Sequence, residues 1–483
     1  MPASAHQDDA ITALGACALS DAIHARRMSC HEVMQAYLER IHRLNPRYQA
    51  LVSLRPDTEL LAEARACDAE LARGQPRGWM HGMPQAIKDL ADARGLPTSA
   101  GSPLVQGTLP QHDGLMVARM RAAGCIVIGK TNVPEFGLGS HTFNAVFGTT
   151  ANAYDDSKSA GGSSGGAAAA LALRLLPVAD GSDFMGSLRN PAAWANCFGL
   201  RPSQGRVPLE PARDAWISQL GTEGPMGRSV RDVARLLATQ AGYSDRSPLS
   251  LDSGLDVAAA RPAANLKRLR VGWLGNLDGH LATEPGILEA CETALHRLEA
   301  EGALVEPAQL AMDAERVWRA WLTWRQVLVG ARLRPLLARE ENRKLMKPEA
   351  LWEYDQGRDC SAADLMEASV VRTEFHAAML GLFQRFDLLA LPTAQVWPFD
   401  KARRWPDAIG ERAMDTYHRW METVIYATFG GLPCASVPAG FNAAGLPTGM
   451  QLIGPPRADA AVLQAAATYE ALIADLLAAT PPD

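Results

Sequence analysis

Two serine-bearing turns and one lysine are the residues of this sequence whose types and spacing could do chemistry. The glycine-rich turn SAGGSSGG contains Ser163 and Ser164, and the turn GSDFMGS ends at Ser187. Lys88 ends a short strand-like segment, PQAIK, upstream of both turns. A serine hydroxyl becomes an effective nucleophile when a neighbouring group removes its proton. The question is therefore which group could act as the base.

Several chemistries are compatible with a glycine-rich serine turn that opens a helix. Phosphate binding is disfavoured because GGSSGG lacks the Lys-Ser/Thr ending of a P-loop. A Ser-His-Asp triad could draw on His81, His112 or His141, but the chain has no G-x-S-x-G elbow around a serine. A lysine is the third choice, because burial disfavours its charged form and lowers its pKa. A purely structural loop would explain the glycines but not the serines and the lysine.

Local patterns predict the elements that position these residues. The alanine run after the first turn predicts a helix over Gly166–Arg174, because alanine has the highest helix propensity. The apolar residues LLPVA predict a short buried strand, and Asp180–Ser187 a second turn. Ser187 would then lie at the exit of that strand.

The rest of the chain predicts a helical scaffold followed by an α/β sheet. Residues 10–72 have helical periodicity, and Ser29 with Glu32 forms a capping-box pattern. From residue 81 onward, short apolar runs alternate with helical segments, which indicates strands that alternate with helices.

Composition limits the kinds of partner and compartment. The chain has 483 residues, 47% of them hydrophobic, which allows a large core. A formal net charge of −6 without basic runs argues against nucleic acid or an anionic membrane and favours a small-molecule substrate. The eight cysteines form no CxxC pair, which indicates reduced thiols and no metal site. With no signal-peptide pattern at the start, we expect a cytoplasmic protein.

Seven sequence blocks together are similar to one known family. The chain contains, in this order, GMPQAIKDL, GKTNVPEFGLG, SAGGSSGGAAAA, GSDFMGSLRNP, FGLRPSQGRVP, FDLLALPT and GLPTGMQLIGPP. These blocks resemble the amidase signature family over nearly the whole chain. Seven blocks in a fixed order are far more specific than any single motif.

The resemblance implies an α/β fold. The expected architecture is a single large domain with a twisted mixed β-sheet core surrounded by α-helices. Its expected extent is residues 8–477, divided into an N-terminal helical region at 10–72, a catalytic core at 76–245, a helical substrate-side region at 311–385 and a C-terminal return to the sheet at 386–477.

The resemblance also assigns roles to the candidate residues by position. It implies a Ser-cisSer-Lys triad in which neutral Lys88 draws a proton through Ser163 so that Ser187 attacks a carbonyl carbon. The peptide bond before Ser163 would be cis, so Gly162 is expected to matter for geometry, and Ser164 would have a supporting part. No cofactor and no metal are implied.

Backbone donors and two charged residues complete the implied site. The expected oxyanion hole consists of the backbone N–H groups of Phe184, Met185, Gly186 and Ser187. Asp183 and Arg189 flank this loop, and we expect them to hold it through hydrogen bonds rather than to contact the substrate.

The nucleophile loop departs from the usual family pattern. Many members have Thr-Gly-Gly-Ser where this chain has Phe184-Met185-Gly186-Ser187, and the two larger side chains would add an apolar wall. Together with SLRNPAAW, this loop is similar to the branch of nylon-oligomer (6-aminohexanoate cyclic dimer) hydrolases and amidases of aryl substrates. The expected substrate is a bulky, uncharged amide, linear, aryl or cyclic, with carbamate or ester cleavage as plausible further activities. A homodimer is left open.

The segments expected to shape the pocket match the family least. They are residues 311–345 and 395–430. Within the first, Trp318, Trp321 and Trp324 recur at three-residue spacing, which predicts core packing, with pocket lining as the alternative.

Two other functions stay open on the same fold. The glutaminase subunit of a tRNA-dependent amidotransferase would need polar residues for glutamine and an obligate partner. The stretch WMETVIYATFG instead carries Trp420, Tyr426 and Phe429. A non-catalytic binding protein would not need the complete set of lysine and serines.

Overall fold

The computed structural model describes residues 9–252, 255–256, 261–263 and 266–482. Residue 8, the predicted start of the domain, lies outside the described residues. In the part of the chain that is described, no helix is both long and apolar enough to cross a membrane.

The described residues up to Ala72 are mostly helical, as the periodicity of residues 10–72 predicts. Ser29 Oγ accepts a hydrogen bond from the N–H of Glu32 at 3.0 Å, and Glu32 Oε2 accepts one from the N–H of Ser29 at 2.8 Å. The capping-box prediction is therefore confirmed. The elements up to residue 131 are α1 (Ala16–His24), α2 (Cys30–Tyr48), β1 (Leu51–Val52), α3 (Asp57–Ala72), β2 (Pro84–Lys88), α4 (Leu115–Ala122) and β3 (Ile126–Thr131).

The two serine turns lie among the elements of the central part. After a short 3₁₀ turn at Glu135–Gly137, these elements are β4 (Phe143–Asn144), β5 (Gly148–Thr149), α5 (Gly165–Ala172), β6 (Ala179–Asp183), α6 (Asn190–Ala193), β7 (Phe198–Arg201), β8 (Thr222–Gly227) and α7 (Val230–Gln240). The helix predicted after the first turn is thus present as α5.

The strand predicted at LLPVA is wrong in its position. The helix is followed by Arg174 in a left-handed conformation with φ of 58°, and Pro177 has no N–H to donate to a sheet. The leucines of this segment are buried in the apolar core, while the strand itself starts at Ala179. Asp180 therefore belongs to β6 and not to the predicted turn.

The C-terminal half adds strands to the main sheet and a layer of long helices. Its elements are β9 (Arg270–Trp273), α8 (Ile287–Ala300), β10 (Leu304–Pro307), α9 (Ala314–Leu333), a 3₁₀ turn (Glu340–Leu345), α10 (Pro348–Asp359), α11 (Ala362–Phe383), β11 (Leu388–Pro392), β12 (Ala408–Ile409), β13 (Arg412–Ala413), a 3₁₀ turn (Arg419–Val424), α12 (Ile425–Phe429), β14 (Cys434–Phe441), β15 (Pro447–Ile453), α13 (Asp459–Glu470) and α14 (Ala474–Leu477). The three tryptophans of α9 are buried in the apolar core, as the core-packing prediction requires.

An eight-stranded mixed sheet forms the centre of the domain, in the order β10-β9-β11-β15-β14-β7-β8-β6. β10, β9 and β11 run parallel to each other, and the remaining neighbours pair antiparallel. Helices surround the sheet, so the prediction of a single α/β domain with a mixed sheet core is confirmed. A separate three-stranded sheet, β1-β3-β2, was not predicted, and Lys88 is the last residue of its strand β2.

A methyl group at Gly166 should destabilise this fold. Its Cβ would lie 2.4 Å from the backbone nitrogen of Asn132 and 2.5 Å from the carbonyl oxygen of Ala50, and backbone atoms cannot turn away. We expect Gly166→Ala to lower the free energy of unfolding by about 1–3 kcal/mol in urea titrations. Gly381→Ala is the control, because nothing lies within 4 Å of its Cβ position. Equal stability of the two variants would contradict the close packing at α5.

Candidate active site

The Lys88 side chain lies at the centre of the candidate site, beside the hydroxyls of the first serine turn. Its Nζ is 2.8 Å from Ser163 Oγ and 2.7 Å from Ser164 Oγ. It also donates to the carbonyl oxygen of Ser182 at 3.1 Å. Lys88 is 1% exposed, so these three oxygens replace water around the amine. The two neighbouring serines are thus equally close to the lysine.

Asp180 joins the two sheets that carry the lysine and the second serine turn. Its carboxylate accepts hydrogen bonds from the Lys88 N–H at 3.0 Å and from Gln85 Nε2 at 3.1 Å. Lys88 and Gln85 lie on β2 of the small sheet, whereas Asp180 lies on β6 of the large one. This fully buried carboxylate therefore sets the position of the lysine relative to β6 and the loop after it.

Burial controls the protonation of Lys88. Removal of the amine from water lowers its pKa to about 7, while the negative charges of Asp183, Asp180 and Glu223 act in the opposite direction. Burial also raises the pKa of Glu223 to about 8. A substantial fraction of Lys88 is consequently neutral near pH 7, as a general base must be.

The first serine turn is packed too closely to accept larger residues. The peptide bond between Gly162 and Ser163 is cis. Ser140 Oγ donates to the carbonyl oxygen of Gly162 at 2.7 Å. A Cβ on Gly162 would lie 3.0 Å from Thr142 Oγ1, and a Cβ on Gly181 would lie 2.8 Å from Ser164 Oγ. Both glycines therefore allow other groups to approach the serines.

The Asp183 side chain stabilises the second serine turn by accepting hydrogen bonds from its backbone. Its carboxylate accepts hydrogen bonds from the N–H of Gly186 at 2.8 Å and from the N–H of Leu188 at 3.2 Å. Arg189 donates to the same carboxylate through Nε at 2.9 Å and Nη2 at 3.0 Å. Ser187 lies in the middle of this network and is 6% exposed.

Two buried arginines keep the carboxylate of Asp183 ionised. Burial alone would raise its pKa, but Arg189 and Arg201 outweigh burial and hold the pKa well below its usual range. Arg189 further donates to Gln451 Oε1 at 2.5 Å and to the carbonyl oxygen of Val424 at 2.9 Å. The nucleophile loop is thereby joined to β15 and to the segment before α12.

One of the four expected oxyanion-hole donors is already engaged. The N–H of Gly186 donates to Asp183, because the turn folds back on the carboxylate at its start. Within the described residues, the N–H groups of Met185 and Ser187 have no hydrogen-bond acceptor. The Ser187 hydroxyl also makes no hydrogen bond to Ser163 in this part of the chain. The hydrogen bond from Lys88 to Ser163 that the predicted relay requires is therefore present. A hydrogen bond between Ser163 and Ser187 is absent from the described residues.

The histidines weighed as alternative bases have other partners or lie at the surface. His141 contacts Ser159 Oγ through Nδ1 at 2.7 Å and the carbonyl oxygen of Lys401 through Nε2 at 3.0 Å. His81 lies within metal-binding distance of Cys67 and Glu70. However, the two ring nitrogens of His81 contact the Cys67 carbonyl oxygen at 2.9 Å and the Arg77 N–H at 3.2 Å. In the described residues, these two histidines thus make hydrogen bonds to groups other than Ser163 and Ser187.

Sequence reasoning missed Asp180 and Glu223, two of the three carboxyl groups whose charges raise the pKa of Lys88. Asp180 could have been found, because a strand that includes residue 180 would place it on the same face as Ser182. Glu223 is paired with Ser182 across β6 and β8, and this long-range register has no local signal in the sequence.

Comparison with known proteins decides the family. The model of the amidase family matches residues 32–463. The chain belongs to the amidase signature family. It is 33% identical to the glutamyl-tRNA(Gln) amidotransferase A subunit of Acidothermus cellulolyticus, over 94% of this chain and 93% of that protein.

Two solved structures have the same fold as this chain. A bacterial aryl acylamidase of the amidase signature family superposes with a TM-score of 0.89 at 29% identity, over 97% of this chain and 99% of that one. 6-Aminohexanoate cyclic dimer hydrolase shares the fold with a TM-score of 0.84 at 24% identity, over 97% and 98% of the two chains. The resemblance inferred from the seven blocks is thus confirmed, and the protein is an amidohydrolase.

Removal of the Asp183 charge should destabilise the nucleophile loop and the whole domain. Asp183→Asn leaves Arg189 and Arg201 buried without their shared counter-ion, a change that typically costs about 3–5 kcal/mol. We expect a loss of about 3 kcal/mol in the free energy of unfolding, measured by urea denaturation. Asp387→Asn is the matched control, because its pair with Arg270 is roughly half exposed and should contribute less than about 1 kcal/mol. Similar losses in the two variants would contradict a special role for Asp183.

Proposed function

We propose that this amidase hydrolyses the C–N bond of a bulky, uncharged amide through an acyl-enzyme on Ser187. The observation that carries the proposal is the buried Lys88 amine, 2.8 Å from the hydroxyl of Ser163 and with a pKa lowered to about 7 by burial. A neutral amine at this place has no evident structural use, because a hydrophobic side chain would fill the space without desolvation cost. A proton acceptor next to a serine is what acyl transfer requires.

The proposed acylation step moves two protons and exchanges two bonds. Lys88 takes the Ser163 proton, Ser163 takes the Ser187 proton, and the Ser187 oxygen forms a bond to the carbonyl carbon. When the tetrahedral intermediate collapses, the C–N bond breaks. Ser163 gives a proton to the leaving nitrogen and recovers one from Lys88. Water then attacks the acyl-enzyme by the same path and releases the acid.

The proposed oxyanion hole uses the N–H groups of Met185 and Ser187, with Phe184 at its entrance. Gly186 is left out because its N–H donates to Asp183, while the N–H of Phe184 stays a further proposed donor. One such donor typically contributes about 3 kcal/mol to the transition state. Asp183, Arg189, Gly162 and Ser164 are proposed to hold the two turns in place.

The nucleophile loop supports an apolar substrate. The Phe184 ring centre is 5.9 Å from that of Trp321, and Met185 is packed in the same apolar core. These side chains favour an aryl or aliphatic acyl group, and similarity to an aryl acylamidase points the same way. Acyl transfer at a carbonyl tolerates different leaving groups, so carbamate or ester cleavage is a further proposed activity. We expect the enzyme to act in the cytoplasm, and a homodimer stays a proposal.

The glutaminase reaction of a tRNA-dependent amidotransferase is the second candidate. Identity of 33% over nearly the full length to the A subunit of a glutamyl-tRNA(Gln) amidotransferase favours it. This function would require partner proteins and a polar pocket for the glutamine side chain and its charged termini.

A fluorophosphonate probe and a substrate panel test the proposal on the full-length protein. We expect the probe to label wild type and not Ser187→Ala. We expect the panel of an anilide, a cyclic amide dimer, an aryl carbamate and glutamine to show turnover of one of the first three. Turnover of glutamine alone, with a co-purifying partner, would support the second candidate. Absence of labelling and of turnover would mean a binding protein.

The dependence of the labelling rate on pH tests Lys88 as the base. Protonated Lys88 cannot accept a proton, so we expect the rate to rise with pH through an apparent pKa near 7 and to level off above it. Lys88→Met should reduce the rate at least about 100-fold and remove this dependence. Lys344→Met, at the surface, is the control and should retain both. A full rate and an unchanged pH profile in Lys88→Met would exclude Lys88 as the base.

A further inference from the structure

Through two arginines on one face, helix α9 contacts the loop of Ser187 and a 3₁₀ turn that lies beside Ser163. Arg325 and Arg332 are seven residues apart, which is two helical turns. Arg332 Nη2 donates to the carbonyl oxygen of Phe136 at 2.6 Å. The next residue is Gly137, where a Cβ would lie 3.5 Å from Ser163 Oγ. Arg332 thus supports the backbone beside the first serine turn.

Arg325 faces the second turn. Its guanidinium carbon is 5.5 Å from the centre of the Phe184 ring, a distance at which a cation is attracted to the face of an aromatic ring. Phe184 is the third residue before Ser187. Trp321, one turn earlier on α9, has its ring centre 5.9 Å from that of Phe184. The helix therefore contacts Phe184 with two side chains at i and i+4 spacing.

A closed set of hydrogen bonds fixes the Arg325 guanidinium. Nε donates to Glu353 Oε1 at 2.5 Å, and Nη2 donates to the hydroxyl of Tyr417 at 2.7 Å. That hydroxyl donates in turn to Glu353 Oε1 at 2.7 Å. All three residues are buried, and the charge of Arg325 is balanced by Glu353. The guanidinium is thus held in a single orientation in front of Phe184.

The first two residues of the nucleophile loop, Phe184 and Met185, are not held by the hydrogen bonds of Asp183. Asp183 binds the backbone of Gly186 and Leu188, but Phe184 and Met185 are beyond the reach of those hydrogen bonds. We propose that Arg325 is a positioning residue that fixes the proposed oxyanion-hole backbone through the ring of Phe184. Arg332, on the same helix face, fixes the backbone next to Ser163. This inference rests on the proposed function of Ser187 and its loop.

A coupling experiment with the fluorophosphonate probe tests the contact. The phosphonyl oxygen enters the oxyanion hole when the Ser187 oxygen attacks phosphorus, so the labelling rate reports the position of the loop. Phe184→Leu keeps an apolar side chain but removes the ring. In the wild-type background we expect it to reduce the second-order labelling rate about tenfold, whereas Phe184→Tyr should retain most of the rate.

The same substitution is then made in a background without the buried ion pair. Arg325→Gln together with Glu353→Gln removes both charges at once, so that neither is left buried alone. In that background we expect Phe184→Leu to change the rate less than about twofold, because the cation is already absent. An equal loss in both backgrounds would overturn the proposal, since Phe184 would then act without Arg325.

A matched control separates positioning from stability. Arg372 lies over the rings of Trp324 and Phe429, at 5.0 Å and 5.5 Å, but in the described part of the chain it makes no hydrogen bond to either serine turn. We expect Arg372→Gln to lower the melting temperature and leave the labelling rate unchanged. If labelling falls in proportion to melting temperature across all variants, Arg325 is merely structural and the proposal fails. If wild type is not labelled at Ser187, the proposed function fails instead.

Discussion

The structure of the site depends on the removal of one amine from water. Lys88 is almost fully buried, and its only hydrogen-bond acceptors among the described residues are two serine hydroxyls and one backbone carbonyl oxygen. An ammonium ion surrounded by neutral oxygens loses more solvation than it regains, so the neutral amine becomes competitive near pH 7. The two glycine-rich turns and the close approach of β2 to β6 all serve to place these oxygens around the lysine.

Burial favours the neutral form of Lys88, whereas the neighbouring Asp183 stays ionised because it has arginine counter-ions. Asp183, at the end of β6, stays ionised because Arg189 and Arg201 donate to it. Since those arginines already balance its charge, Asp183 gives less support to the ammonium form of Lys88 than an unpaired carboxylate would. One buried carboxylate can therefore hold the loop that contains Ser187 without keeping Lys88, the proposed base, permanently charged.

The sequence predicted which residues lie around Lys88 better than it predicted the elements that support them. Lys88, Ser163 and Ser164 come together because short blocks of sequence place each of them at a strand end or in a glycine turn. The separate small sheet, the start of β6 at Ala179 and the pairing of Ser182 with Glu223 depend on long-range register, which no local pattern contains. The engagement of Gly186 by Asp183 was missed for a different reason, because a turn's own hydrogen bonds follow from its exact dihedral angles.

Helix α9 lies outside the sequence blocks that resemble the family, but it contacts the loops beside the proposed catalytic serines. The blocks that carry the family resemblance supply Lys88 and the two serine turns, whereas α9 lies outside those blocks. Yet α9 contacts Phe184 through Arg325 and Trp321, and the backbone beside Ser163 through Arg332. We therefore expect a substitution on this face of α9 to shift the two loops that carry the proposed catalytic serines. Helix α9 would in this way couple substrate range to the geometry of the proposed catalytic loops.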